Sequence, residues 1–287
     1  MNDTNTPVIA RTAMLAALNI SQWAGRKFDR GASSELTMSK GAQADAARVN
    51  KLLMSKEALA PIQTVANEVR AEFYRRTMPW GDNGERILPA LSYQEFAQYV
   101  SDKQREFESA VAGFIGDYKR FVEESRFRLQ SLFDLNDYPQ PGQIADKFRL
   151  HLSVRPIPTE DDFRVSLSQD VEDNIRQQVR ADIDRLTGEA VQHLWQQVGD
   201  MLVTIRDRLS DPDARFKSAM INNFLQLVGD LDKLNVANDP KLDDLRNDVE
   251  RELLCLRDPE ALRKDPATRK QAVADTQKVI DKFGGLW

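Results

Sequence analysis

The 287-residue sequence contains only one cysteine and two histidines, and this scarcity excludes several kinds of site. Cys255 alone allows no disulfide within the chain and no zinc site built on cysteine ligands. Because it lies in an apolar run, we expect a buried structural thiol. His151 and His193 lack the sequence context of a nucleophile elbow or of a cysteine–histidine pair. The sequence therefore predicts no acyl-transfer enzyme.

Long apolar runs are also missing. No stretch reaches 18 uncharged apolar residues, and residues 1–9 have neither the basic start nor the apolar centre of a signal peptide. We therefore expect a protein that stays in the compartment where it is made and does not enter a membrane.

The glycines do not form a phosphate-binding loop. Gly25, Gly31 and Gly41 match neither the Walker nor the dinucleotide spacing. The acidic groups at 160–162 and 243–244 would hold magnesium only if they converged in space, and we interpret them as loop and helix-cap acids. We expect no cofactor and no metal. Because no active-site motif is recognisable, we also expect a protein that is not an enzyme, and an enzyme whose site is built from scattered carboxylates is the third alternative.

Two long apolar stripes with helical spacing dominate the middle of the chain. A helix is predicted to begin at Ser92, where Glu95 completes a capping box, and to continue for about 40 residues, or about 60 Å. A similar helix is predicted over Gln169–Leu209. We expect the two to pack antiparallel, as in a coiled coil. The first stripe contains Phe107, Val111, Phe114, Tyr118, Phe121, Ser125, Arg128 and Leu132.

Between these helices the apolar residues alternate, which is typical of strands. Phe148, Leu150, Leu152 and Val154 share one face, and Phe163, Val165 and Leu167 share another. The pattern predicts a β-hairpin at about 148–167, and Leu15–Ile20 is a candidate third strand.

The predicted fold class is predominantly α (α+β): two long antiparallel helices flank a small β-hairpin, with shorter helical packs at the ends. We expect segments 1–91, 92–210 and 211–287 to form one cooperative unit. The shorter predicted elements are two helices within Ala32–Met54, a helix over Leu59–Arg76, a turn at Met78–Arg86, and three helices near Ala214–Leu231, Pro240–Leu256 and Pro266–Phe283.

The face of the hairpin opposite the apolar residues is basic. A cationic strip of this kind binds phosphates, although an ordinary solvated face balanced by the acids at 160–162 is the interpretation we favour. Arg26 and Lys27, which follow the first strand, would extend the strip. Its members on the hairpin are Lys147, Arg149, His151, Arg155 and Arg164.

The turn after the Leu59–Arg76 helix is a second candidate site. Trp80 and Arg86 would form an interaction loop, but a tryptophan that anchors the loop in the core is the interpretation we favour.

Three segments, Leu18–Lys27, Met78–Trp80 and Asp162–Val165, together resemble an uncharacterised family of bacteriophage and prophage proteins, a domain of unknown function that covers nearly the whole chain. The resemblance implies a protein made in the bacterial cytoplasm, during infection or from an integrated element. It also implies a protein partner of the AAA-type ATPase class. It transfers no functional residue.

A long helical hairpin separates two surfaces and presents a side for self-association. We therefore expect a non-enzymatic interaction or assembly protein of phage origin. The alternative is a nucleic-acid-binding protein of phage DNA metabolism that uses the basic hairpin face.

Overall fold

The computed structural model describes residues 6–162, 168–211 and 217–287, without the side chain at position 161. Over these ranges the chain is mainly helical and contains two small antiparallel sheets, so the predominantly α (α+β) class is confirmed. The two long helices are also confirmed: α4 spans Ala90–Leu129 with 40 residues, and α6 spans Gln169–Ser210 with 42. The predicted second hairpin strand and the predicted start at Ala214 lie outside the described residues.

The remaining elements are shorter. The other helices are α1 Val8–Thr12, α2 Arg30–Ser39, α3 Lys56–Arg76, α5 Pro141–Ala145, α7 Ser218–Leu234, α8 Pro240–Glu252, α9 Pro259–Lys264 and α10 Pro266–Phe283. The strands are β1 Ala13–Ser21, β2 Arg26–Asp29, β3 Val49–Leu52, β4 Met78–Pro79, β5 Arg86–Pro89 and β6 Arg149–Pro156.

The chain divides into two compact units, each discontinuous in sequence. Unit 1 comprises Met1–Ala17, Phe73–Phe96 and Val154–Trp287, and unit 2 comprises Leu18–Glu72 and Ala97–Ser153. This grouping differs from the three consecutive segments that the sequence suggests, because β1, α3, α4 and β6 each contribute residues to both units.

The core of unit 1 is built around the buried stripe of α6, which packs against α7 and α10. Leu194, Val198, Leu202 and Ile205 of the stripe are all buried, whereas Met201 beside Leu202 is only half-buried. Burial of a leucine or isoleucine side chain of this kind stabilises the fold by about 1.5–3 kcal/mol.

Three Asp–Pro pairs begin helices at the C-terminal end of unit 1. Asp239 and Asp265 accept hydrogen bonds from the first amides of α8 and α10, which begin at Pro240 and Pro266, where the sequence predicted helix starts. Asp258 does the same for α9, a helix that the sequence pattern did not indicate. The predicted helix over Pro240–Leu256 is therefore too long: α8 ends at Glu252, and a 3-10 turn at Leu254–Arg257 leads to α9.

Unit 2 is organised by the apolar stripe of α4. Phe114 is buried against Trp23, with ring centroids 6.3 Å apart, and against Phe148 at 5.8 Å. Farther along the stripe, the buried Ser125 hydroxyl donates to the Leu53 carbonyl at 2.7 Å. Each long stripe thus has partners within its own unit, and the packing of α4 against α6 stays a prediction.

The start of α4 and the segment before β3 differ from expectation. The helix begins at Ala90, after Pro89, so Ser92 lies inside it and is buried rather than capping it. The second of the two helices expected within Ala32–Met54 is absent, because β3 pairs with β2 there in antiparallel register. Val49 and Asn50 are poor helix formers, and this pairing satisfies their backbone.

The strand at Leu15–Ile20 is confirmed as part of β1. The larger sheet has the order β4-β5-β1-β6, so β1 neighbours the confirmed strand of the hairpin segment. Met14 and Leu15 pair with Leu88 and Ile87 of β5.

Position 199 on α6 has no room for a side chain, because the Trp287 ring lies against Gly199. A Cβ atom at Gly199 would lie 2.5 Å from the Trp287 ring, whereas a Cβ atom at Gly188 on the same helix would meet nothing within 4 Å. Trp287 packs in turn on Trp195, with centroids 6.3 Å apart.

We expect Gly188→Ala to raise the free energy of unfolding by up to about 1 kcal/mol, the gain in helix propensity. Gly199→Ala gains the same propensity but must displace the Trp287 ring, at a cost of about 1–3 kcal/mol, so it should be the less stable variant. Urea unfolding monitored by tryptophan fluorescence checks both. Equal stability of the two variants would contradict the packing of Trp287 on Gly199.

Candidate interaction surface

The exposed face of β6 carries the first part of the predicted basic strip. Arg149 and His151 are exposed on either side of the buried Leu150, so the predicted alternation holds at this end of the strand. Lys147 is exposed just before it. These three side chains lie within unit 2 and make no ion pair with any described residue.

Arg155 belongs to a different environment. It lies in unit 1, where its Nε and Nη2 atoms each donate to a carboxylate oxygen of Glu85 at 2.5 Å. The Arg155 guanidinium holds the pKa of Glu85 below its ordinary value. A bidentate pair of this type largely neutralises the positive charge, so Arg155 contributes little to a phosphate-binding strip. Arg164 lies outside the described residues.

Lys27 also has a structural partner. Its ammonium group lies 2.5 Å from Asp137, whose carboxylate is only 4% exposed and also pairs with Lys51 at 2.5 Å. Lys51 in turn lies 3.3 Å from Asp29 and donates to the Leu132 carbonyl. Lys27 therefore ties the β2–β3 ribbon to the turn at Leu135–Asp137.

Arg26 is exposed on β2, but β2 belongs to the two-stranded sheet with β3 and not to the sheet that contains β6. Arg26 and Lys27 therefore do not extend the basic strip within the same sheet. In addition, the charge of Lys27 is paired with Asp137.

Trp80 is buried in unit 1, and Arg86 is half-buried. Trp80 is only 6% exposed and belongs to the apolar core, as the core-anchoring interpretation predicts. Arg86 donates to the Thr77 hydroxyl at 2.7 Å, and its guanidinium lies 4.8 Å from the centre of the Tyr74 ring. Burial lowers the pKa of Arg86. Because Trp80 is buried, it is not available to bind a partner as the interaction-loop hypothesis requires.

A groove in unit 2 is a surface that the sequence pattern did not single out. It encloses a cavity of about 700 Å³ beside α4. Phe107, Val111 and Ile115 of α4 supply apolar lining on one side, and Phe148 and Leu150 supply it on the other. The groove is therefore largely apolar along both walls.

Small residues keep the groove open along one edge. Ala112 and Gly116 line it and are exposed, and a Cβ atom at Gly116 would meet no other atom within 4 Å. Val111 and Ile115 are only half-buried. Apolar side chains of the groove thus remain accessible to a partner.

The polar residues of the groove are one acid, one base and one amide. Glu108 accepts a hydrogen bond from Gln104 at 2.9 Å. Arg149 lines the opposite wall, and neither Glu108 nor Arg149 forms an ion pair with another described side chain. The groove therefore offers one unneutralised charge of each sign.

A sequence signal for this groove does exist. Gln104, Glu108, Val111 and Ile115 follow one another at intervals of four, three and four, which defines a second stripe beside the core stripe of α4. When only apolar residues are followed along α4, Val111 is assigned to the core stripe. The second stripe, which contains both polar and apolar residues, is then not recognised. Gly113 and Gly116 within one long helix are a further signal.

Metal-binding clusters and membrane-spanning helices are absent from the described ranges. No group of three or more His, Cys, Asp or Glu side chains there is arranged to hold a metal ion. No described helix is long and apolar enough to cross a membrane. Asp162 accepts hydrogen bonds from the Thr159 amide and hydroxyl, consistent with a loop acid.

Comparison of the chain with protein-family models, with curated proteins and with solved structures finds no match.

The Asp137 pairs are buried enough to affect stability. Burial by itself raises the pKa of Asp137, but the ammonium groups of Lys27 and Lys51 outweigh it, and the net pKa lies below the ordinary value. A carboxylate with a lowered pKa in the folded state stabilises the protein above the unfolded pKa of about 4, and this contribution is lost as the pH falls through the lower folded value.

We expect Asp137→Asn to lower the free energy of unfolding at pH 7 by about 2–4 kcal/mol, because the largely buried Lys51 side chain loses its main partner. Asp117→Asn is the control, since Asp117 and Arg120 are each 56% exposed and such a pair contributes less than about 1 kcal/mol. Urea titrations across pH should show the Asp137 effect shrinking below about pH 4. A pH-independent difference would contradict the electrostatic origin.

Proposed function

We propose that this protein is a non-enzymatic interaction or assembly protein whose binding surface is the groove between α4 and the segment Phe148–Leu150. The observation that carries the proposal is the accessible apolar lining. Covering water-exposed apolar walls with a partner is favourable by about 25 cal/mol per Å². A surface of that kind is typical of a protein-binding site.

The charges of the groove support a protein partner over a purely apolar ligand. Glu108 and Arg149 remain solvated and without an ion-pair partner among the described residues, so a partner with complementary charges fixes its orientation there. The small side chains of Ala112 and Gly116, along one edge of the groove, allow a helix or an extended segment of a partner to approach α4 closely.

The biological setting rests on the resemblance to bacteriophage and prophage proteins. We place the protein, within this proposal, in the cytoplasm of a bacterial host, with a second copy of itself or an AAA-type ATPase as the partner class. The groove favours a second copy, because it carries one charge of each sign and can complement itself.

A second candidate function is nucleic-acid binding through Lys147, Arg149 and His151, which are exposed and close together in sequence at the start of β6. The engagement of Arg155 by Glu85 and of Lys27 by Asp137 shortens the cationic strip, and Glu108 in the adjoining groove repels phosphate. This candidate therefore ranks second.

Gly116→Arg tests the interaction function. The substitution fills the open edge of the groove, because a long side chain on α4 leans toward the preceding turn at Ala112. Gly113→Arg is matched in residue type, charge and helix, and a Cβ atom at Gly113 also meets nothing within 4 Å, but Gly113 does not line the groove. Both changes raise helix propensity by about 0.5–1 kcal/mol, so neither should unfold the protein.

We expect Gly116→Arg, and not Gly113→Arg, to weaken association by at least about tenfold. Association is measured by sedimentation velocity of the purified full chain and by recovery of tagged protein from nuclease-treated bacterial lysate. Equal behaviour of both variants and of the unmodified protein in both measurements would refute the interaction function at this groove.

The nucleic-acid alternative makes a different prediction. Lys147→Glu should weaken binding to labelled DNA and flatten the dependence of log affinity on log salt by about 0.7–0.9, the change expected when one phosphate is no longer neutralised. Lys40→Glu, at the exposed end of α2 in the same unit, is the matched control. Absence of any mobility shift at low salt would eliminate this function.

A further inference from the structure

We infer that the occupant of the groove is a second copy of this chain, related by a twofold axis, with Glu108 of each copy facing Arg149 of the other. The inference rests on the proposed interaction function and names its partner. The juxtaposition that carries it is one acid and one base, neither in an ion pair with a described residue, on the two walls of a single apolar groove.

The charge pattern of the groove is self-complementary. In a twofold interface the same patch meets itself, so a residue at one position faces the residue at a second position and the reverse pair forms as well. Placing Glu108 opposite Arg149 therefore creates two ion pairs per dimer and leaves neither charge uncompensated. A partner that carries charge of one sign, such as a nucleic acid or an acidic peptide, satisfies Arg149 and is repelled by Glu108.

The shape of the groove fits the same partner. Val111 and Ile115 are half-buried, and Ala112 and Gly116 are exposed beside them on the same stretch of α4. A second α4 that lies along this stretch covers the half-buried side chains, and the small residues permit close approach of the two helix backbones. Because the groove spans only about three turns of α4, we expect dimerisation in the micromolar range and not an obligate dimer.

A charge-swap experiment on the full chain tests the pairing. Glu108→Arg places arginine opposite arginine across the dimer, and Arg149→Glu places glutamate opposite glutamate. Each single variant should therefore raise the dimer dissociation constant by at least about tenfold, since two like-charge pairs replace two opposite ones. The double variant restores opposite charges and should return the constant to within about threefold of the unmodified protein.

Sedimentation velocity at tens of micromolar measures the mass, with circular dichroism melting to verify the fold. Both positions are exposed, so folding should be preserved. Glu35→Arg is the control for a change of the same charge at an exposed site on α2 of the same unit, and it should dimerise normally. Should a single charge variant not fold, Gly116→Arg still tests whether a second copy occupies the groove, because it blocks the groove without removing either charge, and a dimer that it does not weaken overturns the inference.

The outcomes separate this inference from the function on which it rests. A dimer that weakens in each single variant and recovers in the double variant supports both. A monomer at tens of micromolar, or a dimer indifferent to all charge changes, overturns the second-copy inference. If the Gly116→Arg protein then recovers no partner from lysate while the Gly113→Arg protein does, the interaction function survives with another protein in the groove; if not, both are rejected.

Discussion

The length of its two principal helices is the constraint from which most of this structure follows. A helix of 40 residues extends about 60 Å and carries an apolar stripe along its whole length. No single short element covers such a stripe, so several must do so in succession. In unit 1 the stripe of α6 meets α7, α10 and the Trp287 ring, and in unit 2 the stripe of α4 meets Trp23, Phe148 and the segment at Leu53. The groove lies beside the core stripe of α4, where coverage of the helix is incomplete.

Polar contacts fix the segment that precedes the groove wall opposite α4. Tyr118 on α4 donates its hydroxyl to the Pro139 carbonyl at 3.0 Å, and Tyr138 donates to the Leu53 carbonyl at 3.1 Å. The paired Asp137 is the residue before Tyr138, and α5 begins two residues after Pro139. Desolvation raises the pKa of Tyr118 to about 12, so its hydroxyl keeps its proton and remains a donor throughout the neutral range. The segment that leads through α5 to Phe148 is therefore anchored by groups that lie outside the groove itself.

Periodicity was a reliable guide wherever burial repeats regularly. The lengths of α4 and α6, the strand at β6 and the Asp–Pro starts of α8 and α10 were all predictable because each depends on neighbouring residues in the sequence. The β3 strand was not, because its stabilising partner β2 lies about twenty residues away and its own apolar content is small. Ser92 was misassigned because a capping sequence inside a helix looks the same as one at its start, and only the preceding proline distinguishes them.

The candidate surface was harder to predict than the fold. Exposure of Arg149 and His151 followed from alternation, but the removal of Arg155 and Lys27 from the strip depends on Glu85 and Asp137, which are 70 and 110 residues away from them. The groove joins α4 to residues at 145–150, again a relation that no local pattern contains. The acid and base on its walls would each be an ordinary surface charge if the sequence alone were considered.

The two glycines of α4 have a consequence for the internal motion of that helix. Gly113 and Gly116 together lower the local helix propensity by about 2 kcal/mol relative to alanine, and neither side of this turn compensates with packing at those positions. Local opening is favoured where propensity and packing are both weak, so we expect the amide hydrogens around Gly113 and Gly116 to exchange with solvent sooner than those of the glycine-free turns of α4. The same turn borders the groove. A partner that binds the groove only when this turn is helical suppresses the opening of the turn, so partner binding and the helical order of the turn are thermodynamically linked.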